Sequence, residues 1–161
     1  MSTIPAGFEI LHLNDPVMDR LAPVYVGLGA DWRIVLGFHV ASSHCNGRGN
    51  CHGGTWATLA DVLMGLSVGN VTGLSGPTVS MTLHYMAPAT MGQWVEGRAE
   101  IRNFTPEFGF VECAFTAGSE PVLHANAVFQ RKFPPHGAIA AMMARQNSTG
   151  NQLGARGSHS L

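Results

Sequence analysis

Residues 53–68 read GGTWATLADVLMGLSV, and this stretch decides the fold. Its bulky apolar residues recur at steps of three and four, which places them on one face of a helix. These residues are Trp56, Leu59, Leu63 and Leu66. The opposite face carries small residues and one carboxylate: Gly54, Thr58, Asp61 and Gly65. Because most of the remaining positions are also apolar, we expect a helix that is buried nearly all round.

Strands flank this helix on both sides in the sequence. Apolar and polar residues alternate in one stretch before the helix and in four after it, as strands require. The stretches are 32–40, 78–86, 94–102, 108–116 and 122–130. The last four follow one another through short connections, which favour antiparallel neighbours. The pattern therefore predicts an α+β fold, with a five-stranded antiparallel sheet around one central helix.

The 161 residues suit one domain and barely admit two. In segment 1–31, Asp15-Pro16 predicts the start of a short helix, with Asp as N-cap and Pro at the first helical position. Segment 32–133 contains the helix and all five strands and is the expected functional domain. Segment 134–161 begins with a stretch that could form a short helix and turns small and polar, so we expect it to be largely disordered.

Charged residues are scarce in this chain. They make up 12% of the sequence, about half the usual share of ~25%, while hydrophobic residues make up 45%. A disordered chain would show the opposite balance, so a packed core is expected. So little charge on so small a protein also suggests that another subunit covers part of the surface.

Composition argues against several functional classes. A net charge of −1 without any run of Lys and Arg argues against nucleic-acid binding. No apolar run approaches the ~20 residues of a membrane span, and the N-terminus lacks the features of a secretory signal. The three cysteines are odd in number and lack CxxC spacing, which favours a reducing, cytoplasmic location.

Asp61 is the most informative single residue. It lies in an apolar run of a helix that we expect to be buried, and placing a carboxylate there costs several kcal/mol, on the order of the desolvation penalty of a charge. A nearby arginine or backbone donors could satisfy the carboxylate. Alternatively, the residue is meant to be reactive.

The start of the helix offers a second candidate feature. His52-Gly53-Gly54 precedes and opens the helix, and the two glycines allow a ligand to approach the free first-turn N–H groups closely. These groups and the positive end of the helix dipole form a natural oxyanion site. The same glycines could instead serve tight packing between helix and sheet.

The loop before the helix contains His44-Cys45 and Cys51-His52, which are possible metal ligands. Adjacent ligands cannot easily occupy two corners of one tetrahedron, and the usual C-x(2–4)-C spacing is missing. We therefore predict no metal site. Cys51 is also a poor candidate for a nucleophile, since no second base is evident beside it.

Taken together, these motifs resemble those of the hotdog-fold acyl-CoA thioesterases, and within them the PaaI-like group, which includes the animal acyl-CoA thioesterase 13 type. The resemblance rests on Asn46, on His52-Gly53-Gly54, on Asp61, and on a strand that ends in YMAPA before Gly92. It covers about 100 central residues. It implies a hotdog fold, with five antiparallel strands wrapped around the helix. It also implies a homodimer or homotetramer whose active sites lie between subunits, and an acyl-CoA substrate, so that coenzyme A is part of the substrate and no cofactor is needed.

The resemblance also implies roles for individual residues. Asp61 falls on the catalytic carboxylate, which acts as general base on water or as nucleophile, and its partners come from the other subunit. The Gly53 N–H falls on the oxyanion donor, and Asn46 on the residue that orients the thioester. His52 matches a histidine used more for positioning than for proton transfer. Thr78 matches a Ser or Thr that can hold the water.

Further residues are candidates for binding the substrate. The small side chains of Gly54 and Thr58, on the same helix face as Asp61, leave room for a ligand group. Arg131 and Lys132, or alternatively Arg48, could meet the phosphates of coenzyme A. For Arg131 and Lys132 an ordinary solvated strand end is the favoured explanation.

Two other functions stay open at this point. A hotdog dehydratase or hydratase would use His52 with Asp61, and following enoyl absorbance against thiol release separates it from a thioesterase. An acyl-CoA-binding protein without activity would bind CoA esters tightly and turn none of them over. The sequence does not identify the acyl group. It contains no G-x-S-x-G motif, so the serine hydrolase route has no support.

Overall fold

A computed structural model describes residues 3–31, 33–134, 137, 140, 141 and 144 of the chain. Its helices are α1 (Pro16–Asp19) and α2 (Gly53–Thr72), with a short 3-10 helix at Ser42–His44. Its strands are β1 (Glu9–Ile10), β2 (Tyr25–Leu28), β3 (Ile34–His39), β4 (Thr78–Tyr85), β5 (Trp94–Phe104), β6 (Phe108–Ala117) and β7 (Glu120–Gln130). None of the helices in the described residues is long and apolar enough to span a bilayer.

The strands form one antiparallel sheet in the order β1-β2-β3-β5-β6-β7-β4. The five predicted strands are present as β3 to β7, around the long helix α2, which confirms the α+β hotdog prediction. The predicted first residue of β3, Trp32, lies outside the described residues. The prediction of five strands was incomplete, because β1 and β2 extend the sheet beyond β3. These two strands span only two and four residues, too few for alternation to reveal them.

Helix α2 packs its bulky face against the sheet, as the periodicity predicted. Trp56, Leu59, Leu63 and Leu66 are all buried, with at most 4% of any of them exposed. Fully burying one such side chain stabilises the fold by about 1.5–3 kcal/mol. The helix runs four residues beyond the predicted end at Val68. It stops at Thr72 because Gly73 adopts the left-handed conformation (φ 73°) that glycine favours and that ends helices.

The opposite face of α2 corrects the expectation of a helix buried nearly all round. Gly54 is exposed, and Thr58, Asp61 and Gly65 are only half-buried. The physical reason is that the sheet covers one side of α2 only, so the small-residue face is left partly open. That open face carries the carboxylate on which the functional prediction rests.

Strand β4 forms an edge of the sheet, with β7 as its neighbouring strand. Thr78 and Tyr85, at its two ends, lie opposite Phe129 and Leu123 of β7, whose buried side chains face the helix. Val79 and Tyr85 are more than half exposed, as is Met86 just beyond the strand. Exposed apolar side chains on an edge strand are typical of a surface that pairs with another chain.

Segment 1–31 contains the predicted short helix α1, whereas most of segment 134–161 lies outside the described residues. Asp15 caps α1 as predicted, since its carboxylate accepts hydrogen bonds from the amides of Val17 (2.8 Å) and Met18 (3.3 Å). The predicted short helix and disordered tail of segment 134–161 lie outside the described residues, apart from residue 134 and the four isolated positions.

Candidate active site

Asp61 and Thr78 form the first half of the site. Asp61 lies on the half-buried face of α2, and Thr78 is the first residue of β4. The Thr78 hydroxyl donates a hydrogen bond of 2.5 Å to Oδ1 of Asp61. Asp61 has no ion-pair partner in the part of the chain that the structure describes, so neither an arginine nor a backbone donor explains this carboxylate. One oxygen is held by Thr78, and the second can act on a ligand.

The N-terminus of α2 forms the second half. Nδ1 of His52 accepts the Gly54 N–H at 2.8 Å, so His52 caps the helix. The Gly53 N–H, one residue earlier, has no acceptor among the described residues. It is therefore available to stabilise a negative charge on a ligand, at the positive end of a 20-residue helix.

Tyr85 contributes a contact that the sequence analysis missed. Its hydroxyl donates a hydrogen bond of 3.2 Å to the Gly53 carbonyl, which ties the end of β4 to the start of α2. In the alternation of residues 78–86, Tyr85 falls on the same side as the apolar Val79, Met81 and Leu83, and alternation does not reveal the partner of its hydroxyl. The signal in the sequence was a tyrosine, which has an apolar ring and a polar hydroxyl, at the end of a strand.

A cleft of about 360 Å³ opens at this helix start. Asn46 and Gly53 both line it, so the structure brings these two predicted residues together. Oδ1 of Asn46 accepts the amide of Arg48 at 2.9 Å, which orients the side chain and leaves its NH₂ group for a ligand. The other residues that line it are Asn50, Cys51, Trp56, Tyr85, Met86, Ala87 and Pro88.

The two halves of the site are separated within one chain. Gly53 and Asp61 are eight residues apart on one helix, which corresponds to about 12 Å along its axis. Reacting groups must approach to about 3 Å. The structure therefore brings together Asp61 with Thr78 and, separately, Asn46 with Gly53, and it does not join the two pairs within one chain.

The predicted binding residues lie in different surroundings. Gly54 and Thr58 precede Asp61 on the same face of α2, and the Thr58 hydroxyl donates to the Gly54 carbonyl at 3.1 Å. Arg48 is exposed in the loop that precedes the cleft. These positions are compatible with their predicted roles, which stay predictions.

Arg131 bonds to the protein's own backbone, whereas Lys132 is exposed. The Arg131 guanidinium donates to the Thr105 carbonyl and, at 3.1 Å, to the Thr72 carbonyl, and it stacks on Phe104. It thus ties the end of α2 to the β5–β6 turn, a structural role that neither alternative in the sequence analysis described, and its phosphate-binding role stays a prediction. Lys132 is exposed one residue further and remains a candidate for phosphate binding.

In the loop before α2, Cys51 and His44 are buried and Cys45 is half-buried. Burial raises the pKa of the Cys51 thiol to about 12, with a smaller contribution from Cys45, so Cys51 is protonated near neutral pH and is a weak nucleophile. His44 is fully buried, with Nδ1 and Nε2 bonded to the backbone of Ala41 and Leu21. Among the described residues, no three potential ligands lie close enough together to hold a metal ion.

The family model of the thioesterase superfamily matches residues 48–123, which include the helix start, Asp61 and Thr78. Over this segment the chain is similar to the thioesterase superfamily. A relative from Pseudomonas aeruginosa, provisionally named an esterase, is 29% identical over 131 residues, covering 80% of this chain and 98% of that protein.

Two solved structures of superfamily proteins share the fold. A hypothetical thioesterase of Streptococcus pneumoniae, solved with coenzyme A, has a TM-score of 0.65 and 22% identity and covers 70% of this chain and 88% of its own. The E. coli PaaI protein from the phenylacetic acid degradation operon has a TM-score of 0.64 and 20% identity. The match covers 75% of this chain and 87% of the PaaI chain. These likenesses confirm the resemblance to PaaI-like hotdog proteins at the level of the fold.

Proposed function

We propose that this protein hydrolyses acyl-CoA thioesters at sites shared between two subunits. In each site, Asp61 of one subunit would act on water or on the carbonyl carbon. Gly53 of the partner subunit would supply the N–H that stabilises the oxyanion. The match of residues 48–123 to the thioesterase superfamily supports thioester hydrolysis in general. The acyl-CoA substrate, the shared site and the residue roles are the proposal.

The geometry of β4 carries this proposal. Its start contacts Asp61 through Thr78, and its end contacts Gly53 through Tyr85. If two copies of this edge strand pair in antiparallel fashion across a two-fold axis, the start of one strand lies beside the end of the other. Asp61 of one subunit then approaches Gly53 of the partner subunit, twice per dimer.

A carboxylate and an oxyanion donor suffice to catalyse the hydrolysis of a thioester. Thioesters are activated acyl groups, so no Ser-His-Asp triad is required. With Oδ1 held by the Thr78 hydroxyl, the second oxygen of Asp61 is positioned to take a proton from water or to attack the carbonyl carbon. In the first route the water oxygen bonds to carbon, and the tetrahedral oxyanion collapses with release of coenzyme A thiol. Both routes need the same two protein groups.

Solved relatives support coenzyme A as the leaving group. The Streptococcus pneumoniae thioesterase was solved with coenzyme A, and it was also solved as variants that replace an aspartate or a threonine by alanine. The same two residue types form the Asp61–Thr78 pair here. In this chain the cleft at Gly53 could admit the thioester end of the substrate, with Lys132 and Arg48 as candidates for its phosphates.

The alternative of a dehydratase or hydratase receives less support. It requires His52 to transfer a proton, but Nδ1 of His52 is occupied by the Gly54 N–H as a helix cap. This cap does not favour a histidine–acid pair.

The direct test is a screen of acyl-CoA esters that detects released thiol. Short, long and aromatic acyl groups should be included because the sequence does not specify the chain. We expect hydrolysis of at least one ester without added metal or cofactor. Tight binding of CoA esters with no thiol release across the series would favour the binding protein, and loss of enoyl absorbance without thiol release would favour the hydratase.

A further inference from the structure

Cys45 and Cys51 stand directly opposite each other in the loop that carries Asn46 and leads into α2. Both are free thiols. Two backbone hydrogen bonds of 2.8 Å flank the pair: from the Asn46 amide to the Asn50 carbonyl, and from the His52 amide to the His44 carbonyl. This arrangement defines a non-hydrogen-bonded antiparallel pair, the type in which opposing side chains are closest.

The backbone at this pair already suits a disulfide. In non-hydrogen-bonded pairs the Cα atoms are about 4.5 Å apart and both side chains project from the same face. Disulfides span Cα separations of about 4.4–6.8 Å. Rotation of the two side chains would therefore bring the sulfurs of Cys45 and Cys51 together, with little movement of the main chain.

The two thiols differ in access. Cys45 is half-buried, and its thiol donates weak hydrogen bonds to the carbonyls of Ala41 (3.3 Å) and Gly49 (3.5 Å). Cys51 is buried in the wall of the cleft, beside Gly53. An external reagent therefore meets Cys45 first, and Cys51 is placed to react with Cys45.

We propose that Cys45 and Cys51 form a reversible disulfide when the protein meets a small-molecule disulfide, and that this bond slows catalysis at the adjoining site. The regulatory part rests on the proposed thioesterase function. The disulfide itself does not.

The chemistry is two successive thiol–disulfide exchanges. The Cys45 sulfur attacks the external disulfide, so a mixed disulfide forms and one reagent sulfur leaves. The Cys51 sulfur then attacks the Cys45 sulfur and expels the second reagent sulfur. The protein loses two electrons and two thiol protons, and the reagent becomes two thiols. Cys51 is the slower partner, because burial raises its pKa to about 12, but the smaller contribution of the Cys45 charge disappears once Cys45 is in the mixed disulfide.

The position of the pair explains why activity would fall. Asn46 follows Cys45 directly, and the helix cap His52 follows Cys51 directly. Forming the bond removes the two hydrogen bonds from the Cys45 thiol to the Ala41 and Gly49 carbonyls, which loosens the loop that orients Asn46. Misplacing a positioning group by about 1 Å can cost up to about 100-fold in rate, so we expect a fall of about 10-fold or more.

The test treats the folded, full-length protein with oxidised glutathione and then with dithiothreitol. Peptide mass spectrometry should find the two cysteines linked, with the mass of two hydrogen atoms lost, and dithiothreitol should restore the free thiols. Thioesterase activity should fall and recover in parallel. Cys45→Ser should keep its activity and ignore the oxidant, whereas Cys113→Ser, which alters a buried thiol on β6, should respond like the wild type.

Each outcome bears on a separate part of the proposal. Glutathione remaining on Cys45, or no link at all, would overturn the disulfide. A Cys45–Cys51 link with unchanged activity would overturn the regulation alone. If the reduced protein hydrolyses no CoA ester, the proposed function and the regulation built on it fail, while the mass measurement still decides whether the disulfide forms.

Discussion

Replacing Asp61 by asparagine should lower kcat for acyl-CoA hydrolysis at least about 100-fold, the scale of a single general base. Asparagine has nearly the same shape and can still accept the hydrogen bond from Thr78 that the carboxylate accepts at 2.5 Å. It cannot take up a proton from water or attack a carbonyl carbon. Steady-state kinetics on the best ester from the screen, together with a thermal unfolding curve, would measure the effect.

Asp19→Asn is the matched control for this variant. Asp19 is an exposed carboxylate of α1, outside both halves of the site. We expect its kcat to equal that of the wild type. An Asp61→Asn protein that folds normally and retains more than about a third of wild-type activity would exclude Asp61 as the base or nucleophile, because loss of a general base lowers the rate about 100-fold.

Replacing Gly53 by proline should also lower activity about 100- to 1000-fold, the cost of losing one oxyanion donor. Proline has no N–H, so the change deletes the group that we assign to the oxyanion. The helix should tolerate it, because Gly53 is the first residue of α2, where proline is favoured. His52 already has the extended conformation (φ −71°, ψ 144°) that a residue before proline adopts.

Gly53→Ala separates loss of the N–H from the added bulk. A Cβ at Gly53 would lie 3.4–3.7 Å from atoms of the Tyr85 ring and hydroxyl, which is ordinary van der Waals contact. The alanine variant keeps the N–H and should therefore be at least about 100-fold more active than the proline variant. Equal activities in the two variants would show that the Gly53 N–H does not stabilise the transition state.

The long elements were predictable from the sequence because each has a strong period. The steps of three and four in residues 53–68 identified α2, and the alternation after residue 78 identified β4 to β7. The end of α2 depends on the left-handed conformation of Gly73 rather than on any period, so it was predicted four residues early. Strand β2 forms because β3 offers it a partner, and β1 forms because β2 does, which local alternation does not encode.

The candidate site was predictable only where residue chemistry conflicted with its surroundings. A carboxylate in an apolar helix pointed to Asp61, and paired glycines at a helix start pointed to Gly53. The contact of Tyr85 with Gly53 and the contacts of Arg131 with Thr72 and Thr105 depend on tertiary geometry, so a pattern of strand residues could not reveal them.

The burial of α2 is a further property that its own sequence pattern does not determine. The sequence predicts near-complete burial because nearly every position of α2 suits it, yet one chain leaves Asp61 and Gly65 half-buried. The low charge content and the exposed apolar side chains of β4 are both consistent with a partner subunit covering the site.

A hybrid dimer tests the shared site most directly. Subunits carrying Asp61→Asn and subunits carrying Gly53→Pro, each with a different affinity tag, are co-expressed and the mixed dimer is isolated through both tags. If each site combines Asp61 of one subunit with Gly53 of the partner subunit, one of the two sites is fully intact. The hybrid should then recover about half of the wild-type kcat, although each parent dimer is about 100-fold impaired. A hybrid as inactive as its parents would show that both groups act within one chain, and it would contradict the shared site.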